Sequence, residues 1–228
     1  TPAPLLERAK GQVREGLRYT ASVPRLWIPL VMVAVVGTLA FNFQVVFPIF
    51  VSHDLDSPPS TYTILYSVVS LGSFAGALSV ARRSGTTVRY VAGSAIAFGL
   101  GMALLAVAPN RTVAFLVAPL IGFASISFMT SSTALVQVEA LPEMRGRVLA
   151  LQAMVFLGST PIGGPIVGWV AEQVGARWSI ALGSLACLAA GAWGYGAERR
   201  GAERRAAERD HAEAGSDGRP PREMAGAT

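Results

Sequence analysis

Six uncharged stretches alternate with short polar segments along this chain. Residues 26–52, 57–81, 90–110, 112–138, 148–171 and 178–197 contain no Asp, Glu, Lys, Arg or His and are 27, 25, 21, 27, 24 and 20 residues long. Each reaches the ~20 residues that an α-helix needs to cross the hydrocarbon core of a bilayer. A charge at the centre of such a helix costs roughly 2.5–3.5 kcal/mol, which accounts for the confinement of charge to the connecting segments. A water-soluble protein would have to cover all six stretches with amphipathic helices, and too little sequence remains to make them. The pattern predicts an all-α, polytopic membrane protein with six transmembrane helices at those bounds.

The flanks read differently. In residues 1–25, Leu6, Ala9, Val13 and Leu17 recur at helical spacing, with Arg8, Lys10, Arg14, Glu15 and Arg18 between them. A linker helix lying on lipid headgroups is expected there. Residues 198–228 form a charged tail without aromatic residues, expected to be helical at most in its first part and disordered beyond. The chain begins with Thr1 rather than Met and has no secretory signal pattern, so it reads as the back part of a longer protein.

Only 14% of the residues are charged, against about a quarter in soluble domains. The net charge of +5 would suit a nucleic acid, but its placement argues against that partner. Taking the segments between the stretches alternately, 17 of the basic residues fall on one set and 2 on the other. By the positive-inside rule this puts both termini in the cytoplasm and the protein in the cell membrane, with the lipid bilayer as its partner. The one cysteine, Cys187, lies inside the last stretch and serves there as a small hydrophobe.

Small residues and prolines organise the segment from Leu141 to Arg177. A basic turn, Arg145-Gly146-Arg147, precedes an uncharged run containing Gly158, Pro161, Gly163, Gly164, Pro165 and Gly168. In water these residues would break a helix, since Pro costs about 3 kcal/mol and Gly about 1 kcal/mol in its interior. In lipid the alternative is an unsatisfied backbone, so the helix survives and its small residues become a docking groove. Gly164 and Gly168 share a face and are expected to admit a neighbouring helix closely. Gly72 and Gly76 form a GxxxG pair on the second stretch, with the same expectation. Pro48 in the first stretch lacks an N–H and crowds the carbonyl of Gln44, so a kink is expected there.

These features, in their order, resemble the major facilitator superfamily of transporters, and most closely its enterobactin-exporter-like branch. EGLRYTASVPRLW resembles the segment that joins the two halves of those proteins. TLAFNFQVVFPIF resembles their seventh helix, and the RGR turn with its Gly/Pro-rich span resembles the fifth helix of each half. Gly76 fits the start of the family's cytoplasmic loop motif, while Val80 and Ala81 stand in place of its Asp and Arg. The resemblance covers about residues 14–197. It implies a twelve-helix transporter of two six-helix halves, each made of two three-helix inverted repeats, working by alternating access. This chain would be the C-terminal half, partnered by an N-terminal six-helix half. The branch implies export of a hydrophobic or amphipathic small molecule, siderophore-like or drug-like.

No nucleophile–base pair, metal-ligand cluster or phosphate loop is evident, so neither an enzyme nor a cofactor is expected. His53, Asp54 and Asp56 on one short loop read as solvated outer residues rather than as metal ligands. A non-transporting six-span scaffold is the alternative to a transporter. No ionisable group lies within a span, so a proton carrier, if one is used, would belong to the first half. In the resembled family the first and fourth helices of each half line the cavity, which here means 26–52 and 112–138. The amides singled out on them are Asn42 and Gln44, and Gln137. Asn42 and Gln44 stand about 200° apart on a regular helix. Asn42, with Thr38 and Val45 on its side, is the first candidate for the substrate. Gln44 is expected to bond a neighbouring helix or the carbonyls loosened by Pro48. Phe41 and Phe43 would supply apolar contacts. Thr130 and Thr133 share about 60° of arc with Gln137. Glu143, Arg145 and Arg147 form a candidate cytoplasmic latch, in which one arginine pairs with Glu139, Glu143 or an acid of the other half in a single access state.

Overall fold

The computed structural model describes residues 9–83 and 85–216. Among the described residues there are helices and no strands: α1 (Ala9–Ser22), α2 (Pro24–Leu39), α3 (Phe43–Ile49), a π turn (Phe50–Asp54), α4 (Ser60–Ala81), α5 (Val88–Ala106), α6 (Arg111–Glu139), α7 (Pro142–Gln173) and α8 (Ala176–Ser216). Counting α2, α3 and the π turn as one, six spans among the described residues are long and apolar enough to cross a membrane. The fold is that of an all-α, polytopic membrane protein. Local chemistry sets the helix starts. Thr87 Oγ1 accepts from the Tyr90 N–H at 3.3 Å, and Asn110 Oδ1 from the Val113 N–H at 3.0 Å, each occupying an orphan donor of a first turn.

Three boundaries differ from the expected ones. α7 starts at Pro142 behind an extended Leu141, because proline is pre-set for the first helical position. Arg145, Gly146 and Arg147 therefore lie inside the opening turns of α7 and form no turn of their own. α7 then remains helical through Pro161 and Pro165. The last span continues as helix into the charged tail as far as Ser216. Ala, Glu and Arg are strong helix formers, and Arg199 and Glu203 pair at 3.0 Å one turn apart. Residues 217–228, where disorder is expected, lie outside the described residues.

The third difference is the first span, which is broken upstream of Pro48. α2 stops at Leu39, and Asn42 adopts φ −104°, ψ 38° before α3 begins. The Asn42 side-chain Nδ2 donates to the Thr38 carbonyl at 2.7 Å. That carbonyl would accept the backbone N–H of residue 42 in a continuous helix. The side chain has replaced the backbone as donor, the competition that makes Asn unfavourable within helices. The Asn42 carbonyl then accepts from the Val45 and Val46 N–H groups at 3.0 and 3.1 Å and starts α3. Pro48 sits within α3, and the wider π turn follows it.

The helices pair in a crossed order: α4 on α6, α2 on α7, and α5 on α8. Divided into two sets of three spans, the first of each set meets the second of the other, and third meets third. A two-fold exchange of two three-helix repeats produces that pattern. Glycines bring the backbones together. A Cβ on Gly72 or Gly76 would collide with the carbonyl of Pro119 or Phe123 on α6, and one on Gly122 with the Val69 carbonyl of α4. Ser184 on α8 donates to the Gly99 carbonyl of α5 at 2.7 Å. The core holds Phe47, Phe50, Phe98 and Phe128, all fully buried. Enclosure is uneven: 17% of the apolar section of α7 and 28% of that of α4 are buried, against 44–56% in the other spans.

Candidate functional site

The broken span meets α7 at its glycines. The Thr38 carbonyl, released from helical geometry, lies over Gly163, where any Cβ would collide with it. A Cβ there would also come to 2.9 Å from Asn42 Nδ2, and one on Gly164 would stand 3.8 Å from Asn42 Oδ1. Asn42 is 4% exposed. Its amide nitrogen is engaged, but its Oδ1 has no hydrogen-bond partner. An acceptor left bare in a buried site costs about 1–3 kcal/mol.

A second buried amide repeats this arrangement. Gln152 of α7 is 3% exposed. It reaches α6, where its Nε2 donates to Thr133 Oγ1 at 3.2 Å and to Ser132 Oγ at 3.4 Å. Its Oε1 has no partner. Thr133 Oγ1 itself donates to the Met129 carbonyl at 3.0 Å. Each amide thus gives its donor to the fold and has an acceptor without a partner. Residues 152 and 163 are about 16 Å apart along α7 at 1.5 Å per residue, one on either side of its midpoint.

The other expected residues are dispersed. Gln44 is exposed, and Gln137 is exposed near the end of α6 beside the half-buried Glu139. Phe43 is buried in an aromatic cluster: its ring centroid is 4.9 Å from that of Phe47, 5.9 Å from that of Phe98 and 6.0 Å from that of Phe41. Phe41 is half-buried and stands edge-on to Phe156 of α7 at 5.2 Å and to Phe98 at 5.3 Å. Both rings thus serve packing around the break. Thr130 is half-buried on α6. Gly163 carries the tightest contact of α7. Gly168 is looser, its Cβ position 3.3 Å from Val45 Cγ1, and nothing lies within 4 Å of that of Gly158. Pro161 and Pro165 are exposed. Gln152 went unnoticed in the sequence, although it is the one amide side chain in the uncharged run 148–171.

Charges close both ends of the bundle. At the end that holds α1, Arg25 pairs with Glu139 at 2.8 Å, and Arg147 pairs with Glu15 of α1 at 2.8 Å. The Tyr19 hydroxyl accepts from the Leu141 N–H at 3.1 Å. Glu139 is thus taken by Arg25, and α1, not Glu139 or Glu143, supplies the acid for Arg147. Glu143 and Arg145 are exposed and form no ion pair among the described residues. At the opposite end Arg177 joins Asp54 at 3.0 Å, donates to the Ala106 carbonyl at 2.9 Å and stands over the Phe50 ring at 5.5 Å. Asp54 is therefore an ion-pair partner rather than a free loop acid. Two grooves, of about 580 and 400 Å³, lie at the two ends of the bundle, and neither is lined by Asn42 or Gln152.

Known proteins give this geometry a context. Two curated proteins described as "Multidrug resistance protein B homolog", from two strains of Mycobacterium tuberculosis, are each 39% identical to the chain over 93 residues. The aligned stretch is 40% of this chain and spans 17% of the relatives' length. No solved structure matches the chain. The sequence profile described as "Transmembrane secretion effector" matches residues 2–215. With six spans among the described residues and a match over nearly its whole length, the chain belongs to the transmembrane secretion effector family of the major facilitator superfamily.

Proposed function

We propose that the chain is the C-terminal six-helix half of an exporter of hydrophobic or amphipathic small molecules, drug-like or siderophore-like, that works by alternating access. The observation that carries this reading is the pair of buried amides, Asn42 and Gln152, each with an acceptor oxygen that the fold leaves bare. A solute with N–H or O–H groups spaced along an apolar body could reach both across about 16 Å. Such a combination of a few oriented polar groups with apolar walls is the usual make-up of a small-molecule site. The partner would be an N-terminal six-helix half. The open faces of α4 and α7 support this, with Leu71, Phe74, Leu157 and Ile162 all exposed. Both termini would lie in the cytoplasm of a cell membrane, as the split of basic residues suggests.

Ethidium serves as the probe. Inverted vesicles holding the full-length protein are expected to accumulate it faster than empty vesicles. Uptake at the empty-vesicle rate overturns the exporter reading and leaves the six-span scaffold. Cysteine labels at Ser57 and Arg111 should react from outside the cell, and labels at Glu143 and Ser216 only after permeabilisation. The reverse pattern refutes the orientation.

A further inference from the structure

The groove of about 580 Å³ lies between the start of α2 and the extension of α8. Its lining has two characters. Ile28, Trp27 and Trp193 are apolar or aromatic, while Arg25, Arg200 and Arg204 are basic. Arg200 and Arg204 are one turn apart and so share a face of α8. Arg25 spends charge on Glu139, whereas Arg200 and Arg204 form no ion pair among the described residues. The two indoles are 38% and 40% exposed.

Depth along α8 decides what such a groove can hold. The uncharged run of α8 ends at Ala197. Arg200 and Arg204 follow it by about 5 and 10 Å of helix rise. Arg200 thus falls within the headgroup layer, which adds roughly 5–7 Å to each side of the hydrocarbon core, and Arg204 lies a few Å past it, a distance that its long side chain spans. Tryptophan side chains collect at the same level because one edge is apolar and the other polar. Guanidinium groups bind phosphate through paired N–H donors. A free phosphate would use the arginines and leave the apolar part of the groove unfilled. A zwitterionic lipid would bring a cation against three others.

We propose that this groove binds one anionic phospholipid, its phosphate held by Arg200 and Arg204 and its acyl chain laid against Trp27, Ile28 and Trp193. The proposal rests on the chain being a membrane protein and is independent of which solute it moves or in which direction. Its consequence is that the start of α2 and the extension of α8 are tied together through a lipid of the adjoining leaflet.

The test is native mass spectrometry of the purified full-length protein, titrated with phosphatidylglycerol and with phosphatidylcholine of the same chain length. Phosphatidylglycerol should bind at least about tenfold more tightly. Each basic group near an anionic surface contributes enough that Arg200→Gln with Arg204→Gln should weaken that binding about thirtyfold. Arg199→Gln removes the same charge from the other side of α8, where Arg199 pairs with Glu203, and should change binding less than about threefold. If the double variant is poorly produced, Arg204→Gln alone should weaken binding about fivefold. Excess inorganic phosphate should leave the lipid bound. Equal affinity for the two lipids, or an equal loss in Arg199→Gln and in the groove variants, overturns the site in favour of diffuse charge attraction. Displacement by inorganic phosphate alone overturns the lipid in favour of a free anion.

Discussion

The α4–α6 crossing and the crossing of the broken first span with α7 are built from the same material and end in different states. In both, glycine lets a carbonyl of one helix lie against the backbone of the other. At α4–α6 the nearby polar groups are consumed by the packing. Ser73 donates to the Val69 carbonyl at 3.0 Å, Ser125 to the Gly122 carbonyl at 3.0 Å, and Ser127 to the Gly76 carbonyl at 3.5 Å. At α7 the packing consumes only the donors of Asn42 and Gln152, and two acceptors remain. Small residues alone therefore make a seam. Polarity that the seam does not use is what sets the α7 crossing apart, and a bare buried acceptor there costs about 1–3 kcal/mol, which is why the proposed site is placed on it.

That contrast can be broken most forcefully at Gly163. Gly163→Leu must displace the Thr38 carbonyl and should cost at least the 1–3 kcal/mol typical of overpacking, read as a fall in folded yield and thermal midpoint. Gly158→Leu on the same helix, with open space at its Cβ, should stay within about 0.5 kcal/mol of the parent. Equal behaviour of the two would mean that the span and α7 are not in backbone contact. Gly72→Leu should destabilise about as much as Gly163→Leu, but its surviving folded fraction should bind solute normally. Altered affinity there would dissolve the distinction between seam and site.

Removing the unused acceptors sharpens the comparison with smaller effects. Asn42→Ala should weaken binding of ethidium to the purified full-length protein by about threefold to thirtyfold, the worth of one amide hydrogen bond within a membrane. Membrane insertion should be intact. Unchanged affinity in Asn42→Ala with a loss in Gln44→Ala would transfer the role to the exposed amide. Gln152→Leu should lower affinity by about threefold to tenfold, with thermal stability held, since the bare Oε1 leaves together with the donor. A loss of stability without a change in affinity would assign Gln152 to the α6–α7 contact alone. The smallest effect belongs to Arg147. Its pairing with Glu15 is partly exposed, so Arg147→Gln should cost no more than about 1 kcal/mol. Glu15→Gln should add nothing to it in a double-mutant cycle. Additive losses would mean that the pair does not hold α1 to α7.

The candidate site was only half legible before folding. Asn42 stands out in the sequence as an amide near the middle of an uncharged stretch, while the kink is expected at Pro48 and the break falls upstream of it. Proline is a visible helix breaker, and Asn42 breaks the helix only because its Nδ2 reaches Thr38 and Gly163 gives the freed carbonyl room. Gln152 carries the same signal as Asn42, an isolated amide among apolar residues, but stands in a run whose pattern is dominated by glycines and prolines. Gly163 differs from Gly164 by one position in the chain and by 100° around the helix. Which of them meets a neighbour depends on how α7 is rotated, and a helix polar at neither face carries no record of that rotation.

What the amino-acid sequence determined by itself is one-dimensional: six uncharged lengths, the alternation of basic segments between them, and the small residues that allow close packing. These follow from the thickness of the bilayer and the cost of charge within it, and a count along the chain reads them. The tertiary structure alone decided the break at Asn42, the crossed pairing of the two sets of three spans, and the partners of Arg25 and Arg147. It also decided which buried oxygens are left without a donor. Each of those depends on a partner contributed by another helix, so the physical reason is the same throughout. Whether a polar group is satisfied is a property of a pair, and the pair exists only after the helices have met.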